Sequence, residues 1–87
     1  MELDLRGLRV EEAAPVLDKY LDDAYLAGLP YVRIVHGKGT GRLRQAMREQ
    51  LAEYPLVSSY RAGGRHEGGE GVTIATLTEG PGGLTGA

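Results

Sequence analysis

A run of glycines between a strand-like and a helix-like segment constrains the fold of this chain more than any other feature. Tyr31–Val35 is rich in β-branched residues, which is typical of a short strand buried on at least one side. Residues 42–54 place apolar side chains at helical spacing, with Thr40 as the expected N-cap and Pro55 after the end. The connecting residues 36–41 read His-Gly-Lys-Gly-Thr-Gly. This junction predicts an α/β fold with a phosphate-binding loop, because glycines admit an anion closely and N–H groups at a helix start attract negative charge.

The remaining segments complete the order β-α-β-α-β-β. Residues 3–6 alternate apolar and polar side chains, and residues 10–24 carry apolar side chains at helical spacing, interrupted only by Pro15. Residues 56–62 and 71–77 indicate two further strands. Two successive strand–helix units favour parallel pairing with a right-handed crossover, and the last two strands favour an antiparallel pair. We therefore expect an α+β two-layer sandwich, a four-stranded mixed sheet with both helices on one face.

Composition sets the broad class and the limits of the domain. The chain has no cysteine, which excludes disulfides, thiolate metal sites and cysteine nucleophiles. No apolar run approaches the roughly 20 residues that span a bilayer, so we predict a soluble, cytoplasmic protein without a membrane partner. We expect residues 1–78 to form the domain, residues 63–69 a mobile hairpin loop without regular structure, and residues 79–87 a disordered tail.

Charge is distributed unevenly along the chain, although the net charge is only −2. Residues 1–30 contain three basic and seven acidic side chains, whereas residues 31–66 contain seven basic and two acidic ones, a local net charge of +5. A basic segment centred on the glycine loop suits a phosphate backbone, although arginines on a helix can also simply solvate its surface. The residues that we predict to contact phosphate from the loop and this segment are Gly37, Gly39, Thr40, Gly41, Arg42, Arg44 and Arg65.

The end of the first strand and the glycine loop are expected to meet. The ends of parallel strands gather at one edge of a sheet, where open α/β sheets usually bind ligands. Asp4, Arg6, His36 and Lys38 would then form the catalytic group around a phosphate. His36 would transfer a proton, Lys38 and Arg6 would stabilise charge, and Asp4 would orient a partner or act as a base. The structural alternatives are a surface ion pair between Asp4 and Arg6 and a histidine that only supports the fold.

Spacing gives less support to other classes of site. The loop lacks the P-loop spacing and the dinucleotide-binding fingerprint, although a degenerate nucleotide site stays open. The acidic and histidine side chains near the loops show no recognisable ligand spacing, so a Mg²⁺ or Mn²⁺ site would need carboxylates assembled from separate strands. These side chains are Asp4, His36, His66, Glu67 and Glu70.

Three ordered motifs together resemble the Smr (small MutS-related) domain. They are Leu3-Asp-Leu-Arg-Gly7, residues 36–41 followed by Leu43-Arg44, and Gly68-Gly-Glu-Gly-Val-Thr-Ile74. The resemblance is closest to the C-terminal Smr domain of the bacterial second-type MutS proteins. It implies the two-layer fold of the C-terminal domain of bacterial translation initiation factor 3. It also implies nuclease activity, typically nicking of DNA, or cleavage of RNA in other branches of the family.

The resemblance assigns site residues where the motifs match. The first two motifs contain the four catalytic candidates named above and the loop glycines. The third motif contains Gly68, Gly69, Gly71 and Thr73, and it adds Gly69 to the predicted phosphate contacts. Many relatives have His-Pro where this chain has Tyr54-Pro55, so catalysis should not depend on a histidine there.

Three functions stay open at this point. The first is an endonuclease that nicks branched or duplex DNA, monomeric as an isolated domain and tethered to a MutS-like ATPase region in a protein that suppresses recombination. The second is an RNA-cleaving or non-catalytic module that binds DNA, RNA or the ribosome in ribosome rescue. The third is a nucleotide-binding domain. RNA can supply its own 2′-OH as nucleophile, whereas DNA requires an activated water, for which Mg²⁺ or Mn²⁺ is an optional cofactor.

Overall fold

The computed structural model describes residues 2–79 and confirms the predicted order of elements. The helices and strands are β1 (Glu2–Asp4), α1 (Val10–Leu26), β2 (Tyr31–Val35), α2 (Arg42–Glu53), β3 (Val57–Ala62) and β4 (Val72–Leu77), with a 3₁₀ turn at Gly69–Gly71. The predicted tail lies outside the described residues, apart from Glu79 at its start. Within residues 2–79, no helix is long and apolar enough to cross a membrane.

The four strands form one mixed sheet in the order β1-β2-β4-β3. β1 and β2 run parallel, whereas β4 pairs antiparallel with both β2 and β3. α1 forms the crossover between the parallel strands, since strands that run in one direction need a long connection. Asp4 lies opposite Val35 in this register, so β1 and β2 end together at one edge of the sheet. The two segments that were predicted to meet are therefore neighbours.

Both helices share one core with the sheet. Leu17 and Leu21 of α1, Met47 and Leu51 of α2, and Ile34 of β2 are fully buried. Their spacing matches the periods of a helix and a strand, so each element presents one apolar face to the others. Burial of each large side chain contributes roughly 1.5–3 kcal/mol to the free energy of folding. The predicted two-layer α+β architecture is confirmed.

The first strand is shorter than predicted. β1 ends at Asp4, and the Leu5 N–H still donates to the Val35 carbonyl at 2.7 Å. The chain then turns through Arg6 and Gly7. Arg6 therefore lies beyond the edge of the sheet, at the point where β2 also ends, instead of alternating with Asp4 along a strand.

The helices contain two features that the sequence predicted only in part. α1 continues through Pro15, which cannot donate a backbone hydrogen bond. The N-cap of α2 is Gly41 and not Thr40, because the chain enters the helix through a left-handed residue. The Thr40 hydroxyl nevertheless accepts a hydrogen bond from the Arg42 N–H at 3.3 Å, which is a capping contact.

The connection between β3 and β4 is more ordered than the sequence indicated. Residues 63–68 contain no helix or strand, as predicted, and the 3₁₀ turn begins only at Gly69, but the connection is organised around Glu67. The Glu67 carboxylate accepts a hydrogen bond from the Gly64 N–H at 2.7 Å and pairs with Arg61 at 2.7 Å. Arg33 of β2 donates from Nε to the Glu67 carbonyl at 3.0 Å. These contacts attach the loop to the sheet.

Candidate functional site

The candidate catalytic side chains lie at the edge where β1 and β2 end. The Arg6 side chain packs over the glycine loop, with its Cγ 3.4 Å from the position that a Cβ on Gly37 would occupy. Arg6 and Lys38 line one depression of about 320 Å³, and His36 and Lys38 line a second of about 200 Å³. The structure thus brings Asp4, Arg6, His36 and Lys38 to one edge of the sheet.

Asp4 and Arg6 form a bidentate ion pair. Arg6 donates from Nε to Oδ1 at 3.0 Å and from Nη2 to Oδ2 at 2.7 Å, and its backbone N–H donates to Oδ1 at 3.0 Å. These hydrogen bonds lower the pKa of Asp4 to about 2, so the carboxylate is ionised at neutral pH and is a weak proton acceptor. Within residues 2–79, Nη1 of Arg6 has no partner. Asp4 therefore orients a guanidinium that can still donate to a phosphate.

The glycine loop presents free backbone N–H groups. The Gly37 N–H donates to the Gly71 carbonyl at 3.0 Å, and the Gly41 N–H donates to the Lys38 carbonyl at 3.1 Å. Between these two points, the N–H groups of residues 38–40 donate to no acceptor in the part of the chain that the structure describes. Successive free N–H groups of this kind form a concavity that binds anions.

Left-handed backbone at both ends of the loop produces this shape. Gly37 and Gly41 have φ values of 82° and 83°, a conformation that residues with a side chain rarely adopt. A Cβ on Gly41 would also lie 2.9 Å from Nη2 of Arg44. The sequence requirement for glycine at these two positions is therefore conformational.

Two cations stand free beside the loop. Lys38 and Arg42 are exposed and form no ion pair among residues 2–79. Arg44 is less available, because its Nη1 lies 3.5 Å from the Glu70 carboxylate. The loop therefore combines free N–H donors with free positive charge, which is what a phosphate requires.

Two of the predicted phosphate contacts are not brought to the loop. Arg65 is exposed on the β3–β4 connection and lines neither depression beside Lys38. The Gly69 N–H is used within its own loop, where it donates to the Gly64 carbonyl at 3.0 Å. His66 is exposed on the same connection and makes no hydrogen bond within the described residues.

His36 is buried behind the loop, with 5% of its surface exposed. Its Nδ1 lies 2.9 Å from the Gly37 carbonyl, an acceptor, so Nδ1 carries a proton and donates it there. Its Nε2 lies 2.8 Å from the Thr73 hydroxyl, which also accepts a hydrogen bond from Nε of Arg48 at 3.1 Å. Burial lowers the pKa of His36, and the charges of Arg48 and Arg44 lower it further, against an opposing contribution from the Gly37 hydrogen bond. The imidazole is therefore neutral, and the Thr73 hydroxyl donates to Nε2.

Both ring nitrogens of His36 are thus engaged inside the protein. In this arrangement the ring fixes the Gly37 peptide at the start of the loop, and proton transfer to a substrate requires the exchange of one of the two hydrogen bonds. Thr73 and Arg48 support the ring. The resemblance names Thr73 as a motif residue without a role, and Arg48 is counted only among the basic residues of the middle segment. Strand periodicity could have indicated Thr73, because this residue lies at the same alternating positions of β4 as the buried Ala75 and Leu77.

The described residues do not suit a divalent cation. The carboxylates beside the loop are Asp4 and Glu70, and each faces an arginine. Within residues 2–79, no three histidine, aspartate or glutamate side chains converge as ligands. Mg²⁺ and Mn²⁺ prefer several oxygen ligands, so these residues alone do not hold either ion.

Comparison with known proteins agrees with the fold and the motifs. The family model of the Smr domain matches residues 3–78. The protein named Endonuclease MutS2 of Symbiobacterium thermophilum is 64% identical over 78 residues, which is 90% of this chain and 10% of the relative. The Endonuclease MutS2 of Thermomicrobium roseum is 60% identical over 87% of this chain and 10% of the relative. The chain therefore spans about a tenth of the length of these curated relatives.

Two solved structures share the architecture. The Smr domain of Thermus thermophilus MutS2 superposes with a TM-score of 0.86 at 48% identity, over 88% of this chain and 96% of that one. YdaL, a stand-alone small MutS-related protein of Escherichia coli, gives a TM-score of 0.84 at 28% identity, over 90% of this chain and 64% of that one. Together with the match of the family model over nearly the whole described chain, these likenesses show that the chain belongs to the Smr domain family.

Proposed function

We propose that this domain is an endonuclease that binds the phosphodiester backbone at the glycine loop and nicks DNA. The observation that carries the proposal is the group of free N–H donors at residues 38–40, together with Lys38 in the same loop, which forms no ion pair within residues 2–79, and Arg6 beside Gly37. The relatives named Endonuclease MutS2 support the nuclease class.

The geometry suits a phosphate whose charge increases during the reaction. Asp4 holds Arg6 in place before a substrate arrives, so its free Nη1 need not reorganise when it donates to a phosphate oxygen. Lys38 supplies a second positive charge, and the loop N–H groups supply directional donors. Donors that are already oriented stabilise the negative charge that develops on the phosphate oxygens in the transition state.

His36 is the candidate residue for proton transfer. Its pKa is lowered by burial, so it is neutral at physiological pH and can accept a proton. For this step, Nε2, which holds the free lone pair, has to exchange its hydrogen bond with the Thr73 hydroxyl for one with the substrate or a water molecule. Asp4 is the weaker base, because its pair with Arg6 keeps its pKa at about 2.

A second candidate function is binding without DNA nicking, to DNA, RNA or the ribosome, or cleavage restricted to RNA. The observation that favours it is the engagement of both His36 nitrogens, because no side chain at the loop then stands ready as a base. RNA cleavage does not require the protein to activate a water molecule, since the substrate provides its own 2′-OH as nucleophile.

A cleavage assay separates these functions. Supercoiled plasmid and a structured RNA would each be incubated with the wild type, with Lys38→Ala and Asp4→Ala, and with Lys19→Ala, which removes an exposed cation from the far part of α1. We expect nicked circles from the wild type and Lys19→Ala, and much less product from the two site variants. Parallel reactions with EDTA report whether an added divalent ion takes part. Equal cutting by all four proteins, or none, contradicts the nuclease proposal.

A binding assay on the same proteins identifies the second candidate. If neither substrate is cut, fluorescence anisotropy with labelled DNA and RNA shows whether the loop binds the backbone. Binding that Lys38→Ala weakens and Lys19→Ala retains would establish the non-catalytic module. Absence of binding by the wild type would exclude both candidate functions.

The length of the relatives suggests the kind of larger protein in which this domain would act. Because the matched region is 10% of each Endonuclease MutS2 protein, we propose that this domain acts while tethered to a MutS-like ATPase region. The substrate would then be branched or duplex DNA, and the outcome would be suppression of recombination. A recombination assay in cells that carry Lys38→Ala in the full-length protein tests this setting, with a raised frequency as the expected result.

A further inference from the structure

A groove beside the glycine loop extends beyond the site described above. It has a volume of about 620 Å³ and lies between the turn after β1 and the start of α2, with Leu8, Arg9 and Arg42 among the residues that line it. Leu8, Thr40 and Leu43 line both this groove and the smaller depression at the loop. The two spaces are therefore neighbours that share one wall.

The groove combines apolar surface with free positive charge. Leu8 keeps 36% of its surface exposed, and Leu43 is partly buried against the core, so both offer apolar contact. Arg9 precedes α1 and Arg42 begins α2, and neither forms an ion pair among residues 2–79. Glu11 also lines the groove, so a carboxylate acceptor stands near the cations.

From this combination we infer that the groove holds an unpaired nucleotide next to the phosphate bound by the glycine loop. The inference rests on the proposed function and names its substrate class, a single-stranded or unpaired segment of nucleic acid. Leucine side chains contact the base, and the arginines on the two walls contact the phosphates that flank it.

The acidic residue distinguishes this occupant from a second phosphate. Glu11 would repel a phosphate, but its carboxylate can accept a hydrogen bond from the amino group of adenine, cytosine or guanine. In a duplex the base is stacked and paired, so Leu8 reaches a base only where the strand is unpaired. The groove therefore favours a single-stranded end, a gap or a branch over fully paired duplex.

The test is an anisotropy titration of the domain with three labelled ligands. They are a short single-stranded DNA, a deoxyribose-phosphate strand of the same length without bases, and a blunt duplex. The variants are Leu8→Ala and Arg9→Ala. The matched controls are Leu26→Ala, an exposed leucine at the far end of α1, and Lys19→Ala, an exposed cation on the same helix.

We expect Leu8→Ala to weaken binding of the single strand about fivefold and to leave binding of the strand without bases unchanged. Arg9→Ala should weaken both single strands, because it contacts phosphate. Neither change should alter binding of the blunt duplex, and both controls should bind all three ligands as the wild type does.

Failure of this inference and failure of the proposed function give different results. If Lys38→Ala loses binding while Leu8→Ala and Arg9→Ala bind the single strand as tightly as the wild type, the groove does not hold a nucleotide and the loop still binds the backbone. If Leu8→Ala weakens both single strands equally, its contact is not with a base and the inference is wrong. If the wild type binds none of the ligands, the proposed function fails and the inference fails with it.

Discussion

A single hydroxyl group connects three elements of this domain. Thr73 in β4 lies between the His36 ring at the end of β2 and the Arg48 guanidinium of α2. Nη2 of Arg48 is buried and has no hydrogen-bond partner within the described residues, so few acceptors are available to this side chain. A buried polar group without a partner is costly, and Thr73 prevents that cost for both neighbours at once.

Replacement of Thr73 should therefore destabilise the fold. Thr73→Val keeps the shape but leaves Nε2 of His36 and Nε of Arg48 without their shared partner, so we expect the free energy of unfolding to fall by about 1–3 kcal/mol. Urea denaturation measures this change. Thr73→Ser keeps the hydroxyl and should lose less; a larger loss in Thr73→Ser than in Thr73→Val would show that the methyl group is what matters.

The neutral state of His36 predicts a dependence of stability on pH. The unfolded chain takes up a proton as the pH falls through about 6.5, whereas the folded protein holds this histidine neutral to lower pH. The unfolded state then binds more protons, so the free energy of unfolding should decrease as the pH falls from neutral through that range.

Denaturation at a series of pH values measures this effect in the wild type and in His36→Gln. The variant should show a flatter dependence in the same range, because the titrating group is gone. His66→Gln removes an exposed histidine that makes no hydrogen bond within residues 2–79, and it should keep the slope of the wild type. A slope that is unchanged in His36→Gln would contradict the assignment.

At the scale of elements, the glycine loop is defined by its attachment to β4 as much as by its own sequence. The Gly71 carbonyl accepts hydrogen bonds from the N–H groups of His36 and Gly37, so the end of β2 is held by the start of β4. Sequence spacing predicted the strand, the loop and the helix, because each is a local pattern. It did not predict the Gly71 contact, which joins residues far apart in the chain.

The loop should tolerate a side chain at Gly37 poorly. A Cβ there would lie 3.4 Å from Cγ of Arg6, and the φ of 82° is unfavourable for alanine by about 1–2 kcal/mol. Gly37→Ala should therefore lower stability and also weaken nucleic-acid binding, measured by denaturation and anisotropy. Gly28→Ala, at a φ of 76° after α1, is the matched control and should lower stability alone.

The β3–β4 connection should loosen when Glu67 loses its charge. Glu67→Gln removes the ionic pairing with Arg61 and weakens the acceptor for the Gly64 N–H. We expect faster hydrogen–deuterium exchange across residues 63–71, with exchange in α1 unchanged. Glu53→Gln, an exposed change at the end of α2, is the control and should leave the connection as it is.

At the scale of the whole molecule, charge is separated by the fold. The acidic residues of the first segment lie largely on α1, whereas free cations stand at the glycine loop and the adjoining groove. A net charge of −2 therefore coexists with a local surface that attracts phosphate. The linear charge count predicted this separation correctly, because α2 and the loop are adjacent in sequence.

This separation predicts how binding depends on salt. Affinity for DNA should fall as the salt concentration rises, because bound cations release counterions from the phosphates. Lys38→Ala should reduce the slope of log K against log salt by about 1, and Lys19→Ala should not change it. A slope that is independent of Lys38 would remove that residue from the interface.

The sequence predicted the order and pairing of the elements better than the hydrogen bonding and burial of the individual site residues. Periodicity identified every strand and helix, and parallel pairing placed Asp4 and Arg6 beside the glycine loop. The bidentate pairing of Asp4 and the burial of His36 between Gly37 and Thr73 were out of reach, because they depend on side-chain geometry that spacing does not encode. The same limit applies to the groove, which is formed by two turns from distant parts of the chain.

The site has two parts, Arg6 after β1 and the glycine loop after β2, and they are attached to the fold with unequal strength. β1 is a strand of three residues at the edge of the sheet with one neighbour, whereas the glycine loop follows β2, which is paired on both sides. Brief fraying of the edge strand is the least costly local opening of such a sheet. It would carry Arg6 away while Lys38 and the free N–H groups keep their places. If the domain binds phosphate as proposed, such fraying would release part of the contacts to the bound phosphate without unfolding, and a ligand that contacts both Arg6 and the glycine loop would hold the edge strand in place.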